Sequence, residues 1–469
     1  MIRKEYIGFD FGTIFIKVGY WDFLKRQTAP LWIPKLQKEK IISLIAFLPK
    51  YNQWVTGELA FSILKEEPLN VFIGIKTALG RSDEASTEKL ALKEFFTLYK
   101  NIIKELFPAD YNLVISIPYC FYANQREELI ATLEKAQFEF LEFIHDPEAI
   151  VLNYIYENPP LSKQNIVCVI DLGGNKLDIA LFEVKRKKQQ TIITTLDVRG
   201  ASGVGGLRID EDLSDIILKE VFLGGEIKAN PLEVKHKLWP YVVELKHSLT
   251  TQEKATLFLD RIFPHLAYFK EITRQQLTKI ALFEIKTVET LLKEILAEQD
   301  ISLERIDKVL VTGGTTRIPD IKESIVRLFG KQAERVVFLE KDTAVAEGAA
   351  LKSAILGGEV KGLDIKSINP YSVGVELENG DMDIILPRGK ILPISRKKLY
   401  KVSERRNSLK IRAFQGEKEV AFQNQFIKEF NVMGIREAEQ IIIEVITDIN
   451  GLVAFKVYLR HGELIYSEE

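Results

Sequence analysis

The sequence predicts a large α/β domain built from a duplicated unit, followed by a smaller all-β domain. Three observations lead there. Residues 6–19, YIGFDFGTIFIKVG, and residues 167–184, VCVIDLGGNKLDIALFEV, share one design: an alternating apolar run, an Asp-x-Gly turn and a second alternating run. Around them lie stretches with apolar residues at helical spacing, such as residues 87–106 with Leu90, Phe95, Leu98, Ile102 and Leu106. After Gly357-Gly358 the period changes to two, in residues 371–377, 382–386, 408–414 and 440–459, where Asn450-Gly451 reads as a type I′ hairpin turn. At 469 residues the chain is too long for one core. The expected division is a domain over 1–358, a linker over 359–369 and a β domain over 370–469.

Each Asp-x-Gly turn carries chemistry. Glycines in Asp171-Leu172-Gly173-Gly174 and in Asp10-Phe11-Gly12-Thr13 let backbone N–H groups approach a phosphate closely. A carboxylate beside that anion makes sense only with a cation between them, and Mg²⁺ held largely through water suits such a place. Two such turns half a large domain apart imply halves facing each other across one phosphate chain.

Composition excludes several classes. The chain is 46% hydrophobic and 28% charged with a net charge of −2, so there is no electrostatic case for nucleic acid. No apolar run reaches a membrane span, and charged residues 3–5 interrupt any signal-peptide core. Cys120 and Cys168 both sit in apolar strand-like runs, which argues against a disulfide framework or structural zinc and for a reducing, cytoplasmic compartment.

In chain order, residues 41–48 and 54–55 read as strands. Lys76 follows in NVFIGIKTALGR, either as a snorkelling surface residue or aimed at a phosphate. Residues 113–117 read as a strand, Asn124 as the cap of the next helix, and His145 as a structural histidine. The basic run at 185–188 falls where a solvated hairpin turn belongs. Residues 200–210 form a Gly-rich loop before a helix, suited to an anion. They are not a dinucleotide fingerprint, because Arg208 takes the place of its third glycine. Thr273 and Gln276 make a capping box for a helix running to about Gln299. VTGGTTRIP at 311–319 gives strand, Gly-Gly loop and helix, with Arg317 placed to stack on a flat ring. Residues 343–356 form a helix of small residues.

These motifs in this order resemble the DnaK-type heat-shock chaperones of the heat-shock protein 70 superfamily, whose ATPase domain has the two-lobed actin-like fold. The likeness extends to IPYCFYANQREE, HDPEA, GGLRID, VVELKHSLT, DTAVAEGAALKSAIL, VKGLDIKSINPYSVGVE and QGE. It implies an actin-like ATPase domain with a duplicated βα core, followed by a β sandwich that holds extended polypeptide. It implies ATP or ADP as ligand with Mg²⁺, K⁺ being a further candidate ion. By the same resemblance Asp10, Asp171 and Asp178 hold hydrated metal, and Gly12, Thr13, Gly173 and Gly174 donate to the phosphates. Lys76 orients the attacking water, Asp146 helps position it, and Gly205 and Gly206 meet the phosphates from the other lobe. Lys246, Thr250, Gly313, Gly314, Arg317 and Asp342 surround adenine and ribose. The implied peptide pocket is Val373, Val375, Leu377, Tyr400, Leu409, Ile411 and Ile443.

The chain departs from the family pattern in several places. Asn175 and Lys176 replace a glycine and a threonine in the second hairpin, so Lys176 either adds a cation near the terminal phosphate or points outward. Ile14 replaces a threonine, and hydrolysis is expected to be slow. Glu142 stands where the family has an arginine that receives a J-domain aspartate, so ordinary J-protein coupling is expected to be altered or absent. The linker segment at 362–367 is half polar, from which weaker or different interdomain docking is expected. Glu378 and Ser403 are polar at the two arch positions over the peptide. The sequence stops at Glu469 just after the β domain, from which a lidless chaperone with fast peptide exchange is expected. A nucleotide-exchange factor is a candidate partner. The alternatives are a nucleotide-gated regulatory module with little hydrolysis, and a small-molecule kinase of the same superfamily.

Overall fold

A computed structural model of the chain describes residues 4–33, 38–80, 86–160, 162–223, 231–263, 266–402, 408–433, 435 and 440–468. Two sheets of one design form its first part. In the first, Gln27–Pro30, Phe15–Asp22, Glu5–Phe11, Tyr111–Ile117 and Glu142–His145 lie side by side in that order. In the second the order is Val336–Phe338, Lys308–Thr312, Gln164–Leu172, Lys176–Lys187, Gln190–Ser202 and Leu363–Lys366. Each is built on an antiparallel hairpin whose first strand pairs in parallel with a strand much later in the chain. Parallel pairing requires a crossover, which runs through Thr87–Leu106 in the first unit and Leu282–Glu298 in the second.

The helices follow local rules, with corrections. Ser86 caps Thr87–Leu106, accepting from Lys89 N. That helix buries Leu92, Phe95, Phe96, Tyr99 and Ile103, whereas Leu90 of the expected stripe is exposed. The aromatics win the inward face because Phe9, Phe11 and Phe138 meet them there. Asn124 does not cap the next helix. Ala123–Lys135 is entered by a capping box between Tyr122 and Gln125. Thr273 and Gln276 do form their capping box, but the helix ends at Ile280, and Leu282–Glu298 starts beyond Ala281. The small-residue helix, Ala344–Leu356, packs on the first hairpin so closely that a Cβ on Gly8 would lie 2.2 Å from the Ala346 carbonyl oxygen.

The last part is a β sandwich of two four-stranded sheets. One has Met382–Leu386, Val373–Glu376, Ser408–Gln415 and Gln425–Met433 in order, the other Ile394–Lys401, Gln440–Thr447, Val453–Leu459 and Leu464–Ser467. Val373, Ile411, Val432, Ile443 and Phe455 lie in the core between them. Ile394–Lys401 and Gln425–Met433 escaped the period-two reading because their exposed faces interrupt the apolar alternation. The Asn450-Gly451 turn is not type I′: only Gly451 has positive φ, and the turn closes through Gly451 N and Leu452 N on Asp448.

The sandwich is docked on the first lobe. Asn450 explains its own turn, since its Oδ1 accepts from Phe143 N at 2.8 Å and its carbonyl oxygen accepts from Arg126 Nη1 at 3.0 Å. Ala123 N donates to Gln415 Oε1 at 2.8 Å, and the rings of Tyr122 and Tyr371 stack at 4.5 Å. The polar linker does not weaken this contact. Leu363–Lys366 adds to the second sheet in parallel with residues 191–194, burying Leu363 and Ile365 and leaving Asp364 and Lys366 in solvent. Alternation along a strand sorts the polar half outward. Among the described residues no helix is long and apolar enough to cross a membrane.

Candidate functional site

The two Asp-x-Gly hairpins meet across a cleft. Position for position they are related: Asp10 faces Lys17 across the first hairpin, and Asp171 faces Asp178 across the second. Gly174 lies against Ile14, so close that a Cβ there would be 2.6 Å from Ile14 Cγ1. Gly205 approaches from a third side at φ 127°, with room for no side chain because a Cβ would stand 2.3 Å from the Gly173 carbonyl oxygen. Gly206 N donates to Gly173 O, and Thr315 Oγ1 donates to the same oxygen at 2.8 Å. Gly12 is equally confined, 2.1 Å from the Phe15 carbonyl oxygen by the same test. Neither Gly174 nor Asn175 has positive φ, so the tolerance of asparagine for left-handed angles is not what keeps this turn.

Charge is concentrated here. Lys176 turns inward rather than outward. Its Nζ donates to Asp171 Oδ2 at 2.6 Å, to Asp178 Oδ2 at 2.9 Å, and to Asp146 Oδ2 from the opposite lobe. Lys17 Nζ donates to Asp10 Oδ2 at 2.7 Å. Lys76 is buried, donates to the Phe11 carbonyl oxygen at 2.6 Å, and lies 5.3 Å from the ring centres of Phe11 and Phe121. Burial pushes the Asp146 carboxyl up, but Lys176 and Lys76 outweigh it and hold it down at about 2. Burial raises Asp178 to about 6 and raises Asp10, against the pull of Lys17. Burial lowers Lys76. A cleft of about 330 Å³ opens here, lined by Thr13, Lys76, Asn175, Lys176 and Gly203, and it reaches Gln425 of the β sandwich.

The donor set bears on metal. Oxygens of Asp146, Asp171 and Asp178 lie within 4.8 Å of one another, a spacing that suits a cation. The space between them, however, is taken by an ammonium group at hydrogen-bond distance. Mg²⁺ demands oxygens at about 2.0–2.1 Å in octahedral geometry. As arranged, the carboxylates expected to hold metal fit Lys176 and Lys17, not an ion.

The residues expected around adenine and ribose are paired with one another and with neighbours. Lys246 Nζ lies 2.6 Å from Asp210 Oδ1 and donates to the Gly206 carbonyl oxygen at 3.1 Å. Asp342 joins Arg317 and Lys40, so Arg317 is held by a carboxylate rather than left free to stack. Thr250 Oγ1 donates back to His247 O within its helix. Gly313 has φ 95° and abuts Leu172, while Gly314 faces open space. Lys40 and His247 were missed. The charges of Lys246, Lys40 and Arg317 all reach His247, whose imidazole burial shifts downward. Glu142 is not a bare negative charge, because Lys352 Nζ pairs with it at 3.0 Å.

A second cleft of about 410 Å³ lies on the sandwich. Val375, Leu377, Tyr400, Leu409, Ile411 and Ile443 line it, joined by Val402 and Ile441, whereas Val373 is buried core beneath. Glu378 lies at its rim, and Ser403 falls outside the described residues. Tyr400 is fixed by its hydroxyl donating to Asp383 Oδ2 at 2.7 Å.

Comparison with known proteins agrees with this architecture. The family model described as Hsp70 protein matches residues 99–460. The chain is 28% identical over 417 residues to the chaperone protein dnaK of Trieres chinensis, covering 85% of this chain and 65% of that one. It is 26% identical over 471 residues to the chaperone protein DnaK of Thermosipho melanesiensis, covering 96% and 77%. It is 25% identical over 470 residues to that of Mycoplasmopsis agalactiae, covering 96% and 76%. It thus spans somewhat under two thirds of the first relative's length and about three quarters of the others'. With two duplicated hairpin sheets, a docked β sandwich and a family match over more than half its length, the chain belongs to the Hsp70 family.

Proposed function

We propose that this chain binds an adenine nucleotide between its two lobes and uses nucleotide state to govern a β sandwich that holds extended polypeptide. The observation that carries the reading is the bridge across the cleft, in which Lys176 joins Asp146 of one lobe to Asp171 and Asp178 of the other. Such a cluster senses what lies between the lobes. Members of the Hsp70 family are ATPases that act as chaperones and bind ATP or ADP with Mg²⁺. In this chain the phosphates would receive backbone N–H groups of Gly12, Thr13, Gly173, Gly174, Gly205 and Gly206. Lys76 would place the attacking water and offset charge on the terminal phosphoryl group, a task of positioning and electrostatics. Adenine and ribose would lie among Lys246, Thr250, Gly313, Gly314, Arg317 and Asp342. The boundaries we propose are 1–358 for the ATPase domain, 359–369 for the linker and 370–469 for the sandwich.

The Lys176–Asp146 ion pair also favours a second reading, a nucleotide-gated module with little hydrolysis. An aspartate whose carboxylate is held by a lysine is a poor water-positioning group. Glu142, paired with Lys352, argues for weak coupling to ordinary J-proteins, and undiminished J-domain stimulation of the ATPase rate would contradict it. A small-molecule kinase leaves the sandwich without a purpose. Single-turnover ATP hydrolysis, together with fluorescent-peptide binding with and without ATP, tests the proposal. Peptide affinity that responds to ATP supports it, and affinity indifferent to nucleotide sinks it.

A further inference from the structure

The acidic cluster has been given its cations by the chain itself. Lys176 Nζ has three N–H bonds and three carboxylate partners, Asp146, Asp171 and Asp178, so its hydrogen-bonding capacity is filled inside the cluster. Lys17 meets Asp10 at the pseudo-equivalent edge of the first hairpin. Four carboxylates, those of Asp10, Asp146, Asp171 and Asp178, therefore face three ammonium groups, those of Lys17, Lys76 and Lys176, leaving one uncompensated negative charge. With Lys76 alone the excess would be three, which only added cations could relieve. An ion at the centre would have to expel Lys176 from a position it reaches on a short tether in a mostly buried site. Lys76 and Lys176 both line the cleft, so their charge is presented to whatever enters it.

We propose that Lys176 and Lys17 stand in for the metal, so that this chain takes up a nucleoside polyphosphate without a divalent cation. The proposal rests on the reading of the cleft as a nucleotide site. No bond is made or broken: the ammonium groups offset the charge of the bound phosphates together with the backbone N–H donors of the two hairpins. The specificity that follows is for free rather than metal-chelated nucleotide.

The test is titration calorimetry of ATP and of ADP into the full chain, in EDTA and in excess MgCl₂, with Lys176→Thr alongside. Wild-type affinity is expected to agree within about threefold between the two conditions. Lys176→Thr is expected to lose about tenfold or more in EDTA and to recover with Mg²⁺. Titration of MnCl₂ into nucleotide-free protein, read by electron paramagnetic resonance, gives a second readout. The wild type should bind no Mn²⁺ in the cleft, and the Lys176→Thr chain should bind one. Wild-type nucleotide binding that appears only with Mg²⁺ overturns the proposal and leaves the nucleotide site standing. No binding in either condition removes the nucleotide site, and the proposal with it. Should Lys176→Thr fail to fold by circular dichroism, the wild-type comparison and Mn²⁺ titration still decide.

Discussion

Lys176 Nζ lies 2.6 Å from Asp171 Oδ2 across the second hairpin, much as Lys17 Nζ lies 2.7 Å from Asp10 Oδ2 across the first. Each phosphate hairpin thus carries a carboxylate already satisfied by an ammonium group of its own. Removing one partner of a buried pair strands the other, at a cost of about 3–5 kcal/mol. Lys176→Met should therefore lower the melting temperature of the ligand-free chain measurably, and MgCl₂ should restore part of the loss. An unchanged melting temperature would show that the cluster does not depend on Lys176.

Lys76→Ala bears on hydrolysis. Its ammonium is buried against Phe11 and Phe121 and lines the cleft. Single-turnover hydrolysis should fall by about 100-fold or more, while ADP affinity changes by less than about threefold. An equal fall in ADP affinity would assign Lys76 to binding instead.

Interdomain docking should depend on pH through His145. Arg126 Nη2 donates to His145 Nε2 at 3.0 Å, which requires that nitrogen to be unprotonated, and Nδ1 faces Glu148 Oε2 at 3.1 Å. The ring also stacks on Tyr119 at 4.0 Å. Burial holds the imidazole below its usual 6.5, despite Glu148. Because the folded value is lowered, the neutral ring's contribution is fully present above 6.5 and is lost as pH falls from there through the lower folded value. Protonation would set two cations together and loosen Arg126 from the Asn450 carbonyl oxygen. Hydrogen exchange at residues 363–366 should speed up between pH 7.5 and pH 5.5, and Arg126→Ala should show fast exchange at both. Exchange in the wild type that is flat with pH would rule this out.

Peptide binding should follow the sandwich cleft. Leu409 lines it from a half-buried position, so Leu409→Asp should cost about tenfold or more in peptide affinity with little loss of melting temperature. Unchanged affinity would place the peptide elsewhere.

The repeated Asp-x-Gly hairpins were legible because period-two alternation and a glycine turn are local signals, and local pairing set the register that brings Asp171 opposite Asp178. The inward turn of Lys176 was legible in principle, since residues 176 and 178 share a face of one strand. What hid it is that the same alternation allows a terminal lysine to bend either way. The partners of Asn450 were beyond reach: Phe143 and Arg126 lie 307 and 324 residues away, and no periodicity encodes a contact of that separation. The Lys40–Asp342–Arg317 triad was missed for the same reason, and it takes from Arg317 the stacking freedom that its Gly-Gly loop suggested.

The central claim is that two mirrored hairpins hold one nucleotide between them. Calorimetric titration of ATP into the purified full chain tests it most directly. The account predicts saturable binding of one nucleotide per chain, abolished by Gly205→Val, whose side chain would collide with the Gly173 carbonyl oxygen. Absence of any binding heat at millimolar ATP, or undiminished binding by Gly205→Val, would contradict it.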